Sequence, residues 1–207
     1  MVIDEAISQF DRALRTLTGQ LSARRPSPGA EVPEAPLDEA ERRHAGGLMR
    51  VNHTGEVCAQ ALYEGQALTA QRDRVRAKLK SAAEEESDHL AWCAERLREL
   101  NASPSLLNPL FYAASYAIGA LTGLAGDKVS LGFVEATEDQ VCDHLDRHLK
   151  ALPEGDDRSR AIINGMRADE ARHGAAALES GGAPFPPAAK AAMTALSRVM
   201  TETTYRI

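Results

Sequence analysis

Aromatic residues are scarce: four Phe, four Tyr and one Trp, 4% of a 207-residue chain. Alanine, leucine, glutamate and arginine are plentiful instead, which speaks against a strand-rich fold and for an all-α bundle of single-domain size. Cysteine is equally sparse. Cys58, Cys93 and Cys142 are odd in number and form no Cys-x-x-Cys pair, so neither a disulfide framework nor a zinc ribbon is indicated and a reducing cytosol fits. Each cysteine lies two or four residues after a candidate ligand described below, but thiolates suit softer metals than carboxylates do, and small buried core residues are the reading adopted. The formal net charge is −6 with no basic run, so no nucleic-acid or polyphosphate partner is expected. The opening MVIDEAISQFDRAL has acidic residues where a signal peptide has basic ones and no long apolar region, so secretion is not expected.

What the chain does have is a repeat. Glu56 is followed by Glu86 and His89, and Glu138 by Glu170 and His173, so the second glutamate trails the first by 86 − 56 = 30 residues in one half and 170 − 138 = 32 in the other. Residues three apart are neighbours on a helix, so each Glu-x-x-His pair stands on one face. A lone Glu on one helix and Glu-x-x-His on the next, twice over, is the ligand pattern of ferritin-like dinuclear bundles. Chance placement of 18 glutamates and six histidines gives about 18 × 6/207, or 0.5, such pairs, and the chain holds three. The third, Glu41 with His44, is a decoy: prolines 26, 28, 33 and 36 break any paired helix ahead of it.

The candidate ligands fall on core positions. One helix face reads Leu79, Ala82, Glu86, His89, Cys93, Leu97, Leu100; others read Leu131, Val134, Glu138, Val141, Leu145 and Ile163, Met166, Glu170, His173, Ala177. The Glu56 face, Asn52, Glu56, Ala59, Tyr63, Gln66, is more polar. Burying four carboxylates costs several kcal/mol per ion unless cations balance them. No Lys or Arg lies on the three apolar seams, and two divalent metals supply +4 against −4. Tyr63, two turns beyond Glu56, is close enough to face the cluster, though a core tyrosine is the commoner case. His53 and His148 are read as surface or core residues.

Residues 2 to about 20 read as a short amphipathic helix through Ile3, Ala6, Phe10, Leu14 and Leu17, followed by the proline linker; together these make a segment 1–36 ahead of a domain 37–207. Asp38 with Glu41 predicts a capping box opening a helix to about residue 70, in which Gly46, Gly47 and Gly55 permit close backbone approach. Further helices are expected at about 73–100, 127–149 and 158–180, with a last one at 187–200. Leu100 to Gly126 is 27 residues without a charge. Pro104, Asn108 and Pro109 leave too short a run to span a bilayer, so the insertion at about 101–126 either dips into one leaflet or packs on the bundle as a crossover.

The segments RVNHTGEVCAQALYEGQ (50–66), EEESDHLAWC (84–93), VEATEDQVCDHL (134–145) and RADEARHG (167–174) together resemble the demethoxyubiquinol hydroxylase family of ubiquinone biosynthesis, over about residues 37–180. The uncharged insertion between the halves is similar to that family's. The resemblance implies a ferritin-like di-iron monooxygenase with an extra membrane-associated helix in the crossover, bound peripherally to the cytoplasmic side of the inner (cell) membrane. Glu56, Glu86 and His89 would hold one iron and Glu138, Glu170 and His173 the other, with Glu86 and Glu170 bridging. Its substrates would be a polyprenyl quinol and O2, with two electrons from NADH or from the quinol itself, and other proteins of the same pathway are potential partners. Many members carry adjacent histidines where this chain has Asp143 and His144, so only His144 is available for any relay at that corner. Two competing readings are iron storage or peroxide detoxification in a ferritin-like shell, and a metal-free helical interaction module.

Overall fold

The computed structural model describes residues 2–34 and 36–207, with side chains from Ile7 onward; Ile3 and Ala6 of the amphipathic stripe lie outside the described side chains. Among the described residues there are seven helices and no strand: α1 (Val2–Thr18), α2 (Glu39–Thr69), α3 (Asp73–Glu99), α4 (Asn108–Leu124), α5 (Asp127–Ala151), α6 (Asp157–Glu179) and α7 (Pro187–Thr204). The capping box forms as expected: Glu41 N–H donates to the Asp38 carboxylate and Asp38 N–H to that of Glu41. His44, partner of Glu41 in the decoy pair, bonds Tyr205 and the Ala151 carbonyl.

Helices α2, α3, α5 and α6 form a four-helix bundle with two apolar cores. Leu48, Met49, Trp92, Leu97, Leu145, Ile163 and Met166 pack at one end. Tyr63, Ala67, Val75, Leu79, Leu131, Val134 and Ala177 pack at the other. Along α2 and α6 the first core precedes the second, and along α3 and α5 the order is reversed. Each hairpin is therefore antiparallel, while α3 and α5 run in the same direction. A crossover must carry the chain back along the bundle between them, and α4 is that crossover. The candidate ligands sit on all four helices between the two cores.

The structure shows the uncharged insertion packed on the bundle. Helix α4 lies along α2 in intimate contact: a Cβ on Gly119 would stand 2.3 Å from the Leu62 carbonyl oxygen, and one on Gly65 2.2 Å from that of Tyr116. Only hydrogen leaves room for such an approach. Among the described residues no helix is long and apolar enough to cross a membrane. Substituting Gly119→Ala is expected to push the helices apart and cost about 1–3 kcal/mol, the usual penalty of overpacking. An unchanged urea midpoint would show that the contact has slack. Of the three glycines expected to allow close approach in α2, Gly46 and Gly47 pack against Ala102 and the Tyr205 ring, whereas Gly55 faces no neighbour.

Helix α1 lies across α2 and α4. Its Ala13 and Leu17 pack with Val57, Ala61, Leu90 and Tyr112. Phe10 and Leu14, on the expected apolar stripe, are 67% and 45% exposed and face away from the bundle, whereas Leu17 of the same stripe packs on it.

Candidate metal centre

The four glutamates and two histidines converge in the layer between the cores. Two overlapping groups of ligand atoms emerge, Glu56, Glu86, His89 and Glu170 in one, Glu86, Glu138, Glu170 and His173 in the other, with all atoms of a group within 4.8 Å of one another. Glu86 and Glu170 belong to both. All six residues are at most 8% exposed.

Around His89 Nδ1 lie Glu86 Oε2 and Glu170 Oε1, each at 3.1 Å, and Glu56 Oε2 at 3.5 Å. His173 Nδ1 stands 3.2 Å from Glu86 Oε1 and 3.4 Å from Glu170 Oε2. An imidazole nitrogen carries at most one hydrogen, too few for three acceptors. The same atoms suit a shared cation, because neighbouring ligands about 2.1 Å from an octahedral ion lie about 3 Å apart. A buried oxygen of each glutamate, Glu56 Oε2, Glu86 Oε1, Glu138 Oε2 and Glu170 Oε2, lacks a hydrogen-bond partner, as does His173 Nδ1. Such groups are costly to bury unless something pairs with them. Burial pushes the Glu56 and Glu138 carboxyls well above the usual range; for Glu86 the pull of His89 and His173 outweighs burial and holds it low. The residues present fit two divalent ions.

The chain matches the family model described as "Ubiquinone biosynthesis protein COQ7" over residues 43–204. It is similar to the 3-demethoxyubiquinol 3-hydroxylase of Azotobacter vinelandii, 61% identical over 99% of this chain and 95% of that protein. Proteins of the same name from Pseudomonas putida and Marinomonas are 58% identical over 99% of this chain and 96% and 98% of theirs. This chain belongs to the COQ7 family.

Other residues complete the surroundings of the centre in this COQ7-family chain. The Tyr63 hydroxyl donates to Glu138 Oε1, and its ring meets His173 edge-on with centroids 6.2 Å apart. Tyr63 therefore faces the cluster. His144 does not: it packs against His148 at 3.9 Å, and both line a surface cavity of about 770 Å³ beside α7. Burial lowers the His144 pKa to about 4 and holds His148 still lower, so both rings are neutral. His53 is buried against Asn108 and likewise pushed down to about 4. The cysteines stay out of both ligand groups; burial raises Cys58 and Cys142 to about 11 and Cys93 well above its usual value.

Four neighbours escaped the sequence reading. Asp169 Oδ2 lies 3.0 Å from His89 Nε2, so the outer nitrogen donates to a carboxylate while the inner one faces the cluster. Burial opposes ionisation of Asp169, but hydrogen bonds from His89, Arg172 and Arg25 prevail and hold its carboxyl below the usual range. Glu85 Oε2 lies 3.3 Å from His173 Nε2 and 2.5 Å from Arg172 Nη2. The adjacency of Asp169 to Glu170 and of Glu85 to Glu86 was the available signal. Nothing in the sequence distinguished those carboxylates from the other acidic residues of a charged helix face.

Proposed function

We propose that this chain is a demethoxyubiquinol hydroxylase. It places one oxygen atom of O2 on the ring of a polyprenyl quinol, and two electrons and two protons reduce the other atom to water. The carrying observation is the sharing of Glu86 and Glu170 by two ligand groups in a chain 58–61% identical to proteins bearing that name. Hard oxygen donors with one imidazole per metal suit iron, which when bound supplies the O2 activation. Glu56 and His89 would hold one ion, Glu138 and His173 the other, and Glu86 and Glu170 both. Asp169 fixes the His89 tautomer, Tyr63 turns Glu138 so that its free oxygen points inward, and the two apolar cores keep water from the reacting centre. The electrons come from NADH or from the quinol itself.

The test is rescue of a quinone-deficient strain with lipid analysis. The demethoxy intermediate is expected to disappear as ubiquinone returns, with about two irons per chain in the purified protein. Iron uptake without loss of the intermediate would favour storage, and a folded chain that retains no iron would sink both metal readings.

The same proposal sets the substrate's route. Leu106, Leu110, Leu121 and Leu124 of the crossover region are 65–83% exposed, and Ile7, Phe10 and Leu14 of the adjacent α1 are 45–67% exposed. Tyr116 donates to Gln9 and joins the two surfaces. This apolar face rests on the cytoplasmic leaflet of the cell membrane, where a polyprenyl tail resides and a reducing compartment keeps the three cysteines as thiols. Replacing Leu110 and Leu121 by serine should lower co-sedimentation with phospholipid vesicles by about tenfold or more, since each buried leucine contributes roughly 1.5–3 kcal/mol. Equal binding by that variant would move the docking surface elsewhere.

A further inference from the structure

The two histidines of the centre are held very differently. His89 Nε2 donates to Asp169 at 3.0 Å within a closed network: Arg25 Nη1 reaches the same Asp169 oxygen at 2.7 Å, and Arg172 Nη1 reaches Oδ1 at 2.6 Å. Arg25 Nε binds Asp88 Oδ2 at 2.6 Å, and the neighbouring Arg24 N–H takes Asp88 Oδ1 at 2.6 Å. The Arg25 guanidinium lies over the Trp92 ring at 4.9 Å, and Trp92 Nε1–H donates to the Arg25 carbonyl at 3.2 Å. One linker side chain thus joins a carboxylate of α3 to a carboxylate of α6, and the second of these orients His89. His173 has no such hold. Its Nε2 is 3.3 Å from Glu85 without hydrogen-bond geometry, and the Glu85 side chain is 34% exposed and turned toward Arg172.

We infer that Arg25 is a positioning residue for His89, acting through Asp169, and that it makes the Glu56/His89 metal position the tighter of the two. The inference rests on the dinuclear reading above. An imidazole whose outer N–H is fixed presents its other nitrogen in one tautomer and one direction, and losing such a partner commonly costs 10–100-fold in metal affinity. The planar fork of arginine spans Asp88 and Asp169 together; a lysine ammonium is a point charge and reaches one well.

Anaerobic titration with Co2+, followed by its visible absorption, tests this without turnover. The wild-type chain is expected to take up two ions in separate steps. In an H173A background, which leaves the His89 position, R25A should weaken Co2+ binding about tenfold or more and R25K by an intermediate factor. In an H89A background, R25A should change affinity less than about twofold. Unchanged affinity in the first background, or equal losses in both, would overturn the inference while leaving the metal centre standing. A wild-type chain that takes up no Co2+ would remove the centre itself. Circular dichroism establishes that each variant is folded, and where R25A is not, R25K carries the same comparison.

Discussion

Replacing Glu170 by alanine is expected to abolish hydroxylation and leave the protein unable to hold either metal, with helix content intact. Glu170 offers one oxygen to each half of the centre, 3.1 Å from His89 Nδ1 and 3.4 Å from His173 Nδ1, so its loss opens both coordination spheres. His173→Ala removes a ligand from one half only. The two variants therefore separate by iron content: close to zero per chain for Glu170→Ala and close to one for His173→Ala. Activity should fall more than 100-fold in both, because disturbing even an outer partner of a metal ligand commonly costs about 10–100-fold. The fold should survive. The apolar cores above and below the layer are untouched, and each variant removes a buried polar atom, Glu170 Oε2 or His173 Nδ1, that has no hydrogen-bond partner to strand. Two irons or full activity in Glu170→Ala would exclude the centre described here.

The second large effect concerns stability. Arg96→Met is expected to destabilise the protein by about 3–5 kcal/mol, the usual consequence of stranding one partner of a buried ion pair. Arg96 is fully buried: Nε donates to Ser159 at 2.8 Å, Nη1 to Glu34 at 2.6 Å and Glu99 at 2.8 Å, and Nη2 to Asp156 at 2.8 Å. Asp156 is equally inaccessible and caps α6 by accepting from Ser159 N–H at 3.1 Å. Without the guanidinium, that carboxylate is left buried beside a helix start with no counter-charge. The double variant Arg96→Met/Asp156→Asn removes both charges and should recover more than half of the loss. Urea unfolding of metal-free protein measures both, and a loss under about 1 kcal/mol for the single variant would mean that water reaches the site.

Much of this architecture was legible as periodicity. The stripes through Glu86 and His89, through Glu138, and through Glu170 and His173 are core stripes, and the polar Glu56 face proved as deeply buried as they are. The role of the uncharged insertion was not legible, because hydropathy alone leaves a leaflet-dipping helix and a packed crossover open. Gly119-x-x-x-Gly123 was the overlooked sign of close packing, and the exposed leucines lie away from that contact. Arg25 and Glu34 were read only as parts of a proline linker, yet they reach Asp169 and Arg96 on the far side of more than 60 residues of chain.

The sequence by itself determined the helices, the candidate ligand residue types and their twofold repetition, since each follows from local spacing along one helix. Tertiary structure alone decided that Glu86 and Glu170 stand between two groups, that His89 is buttressed and His173 is not, and that α4 lies on α2. Those are relations between atoms on different helices, and they depend on backbone approach and side-chain direction, which hydrophobic period does not encode.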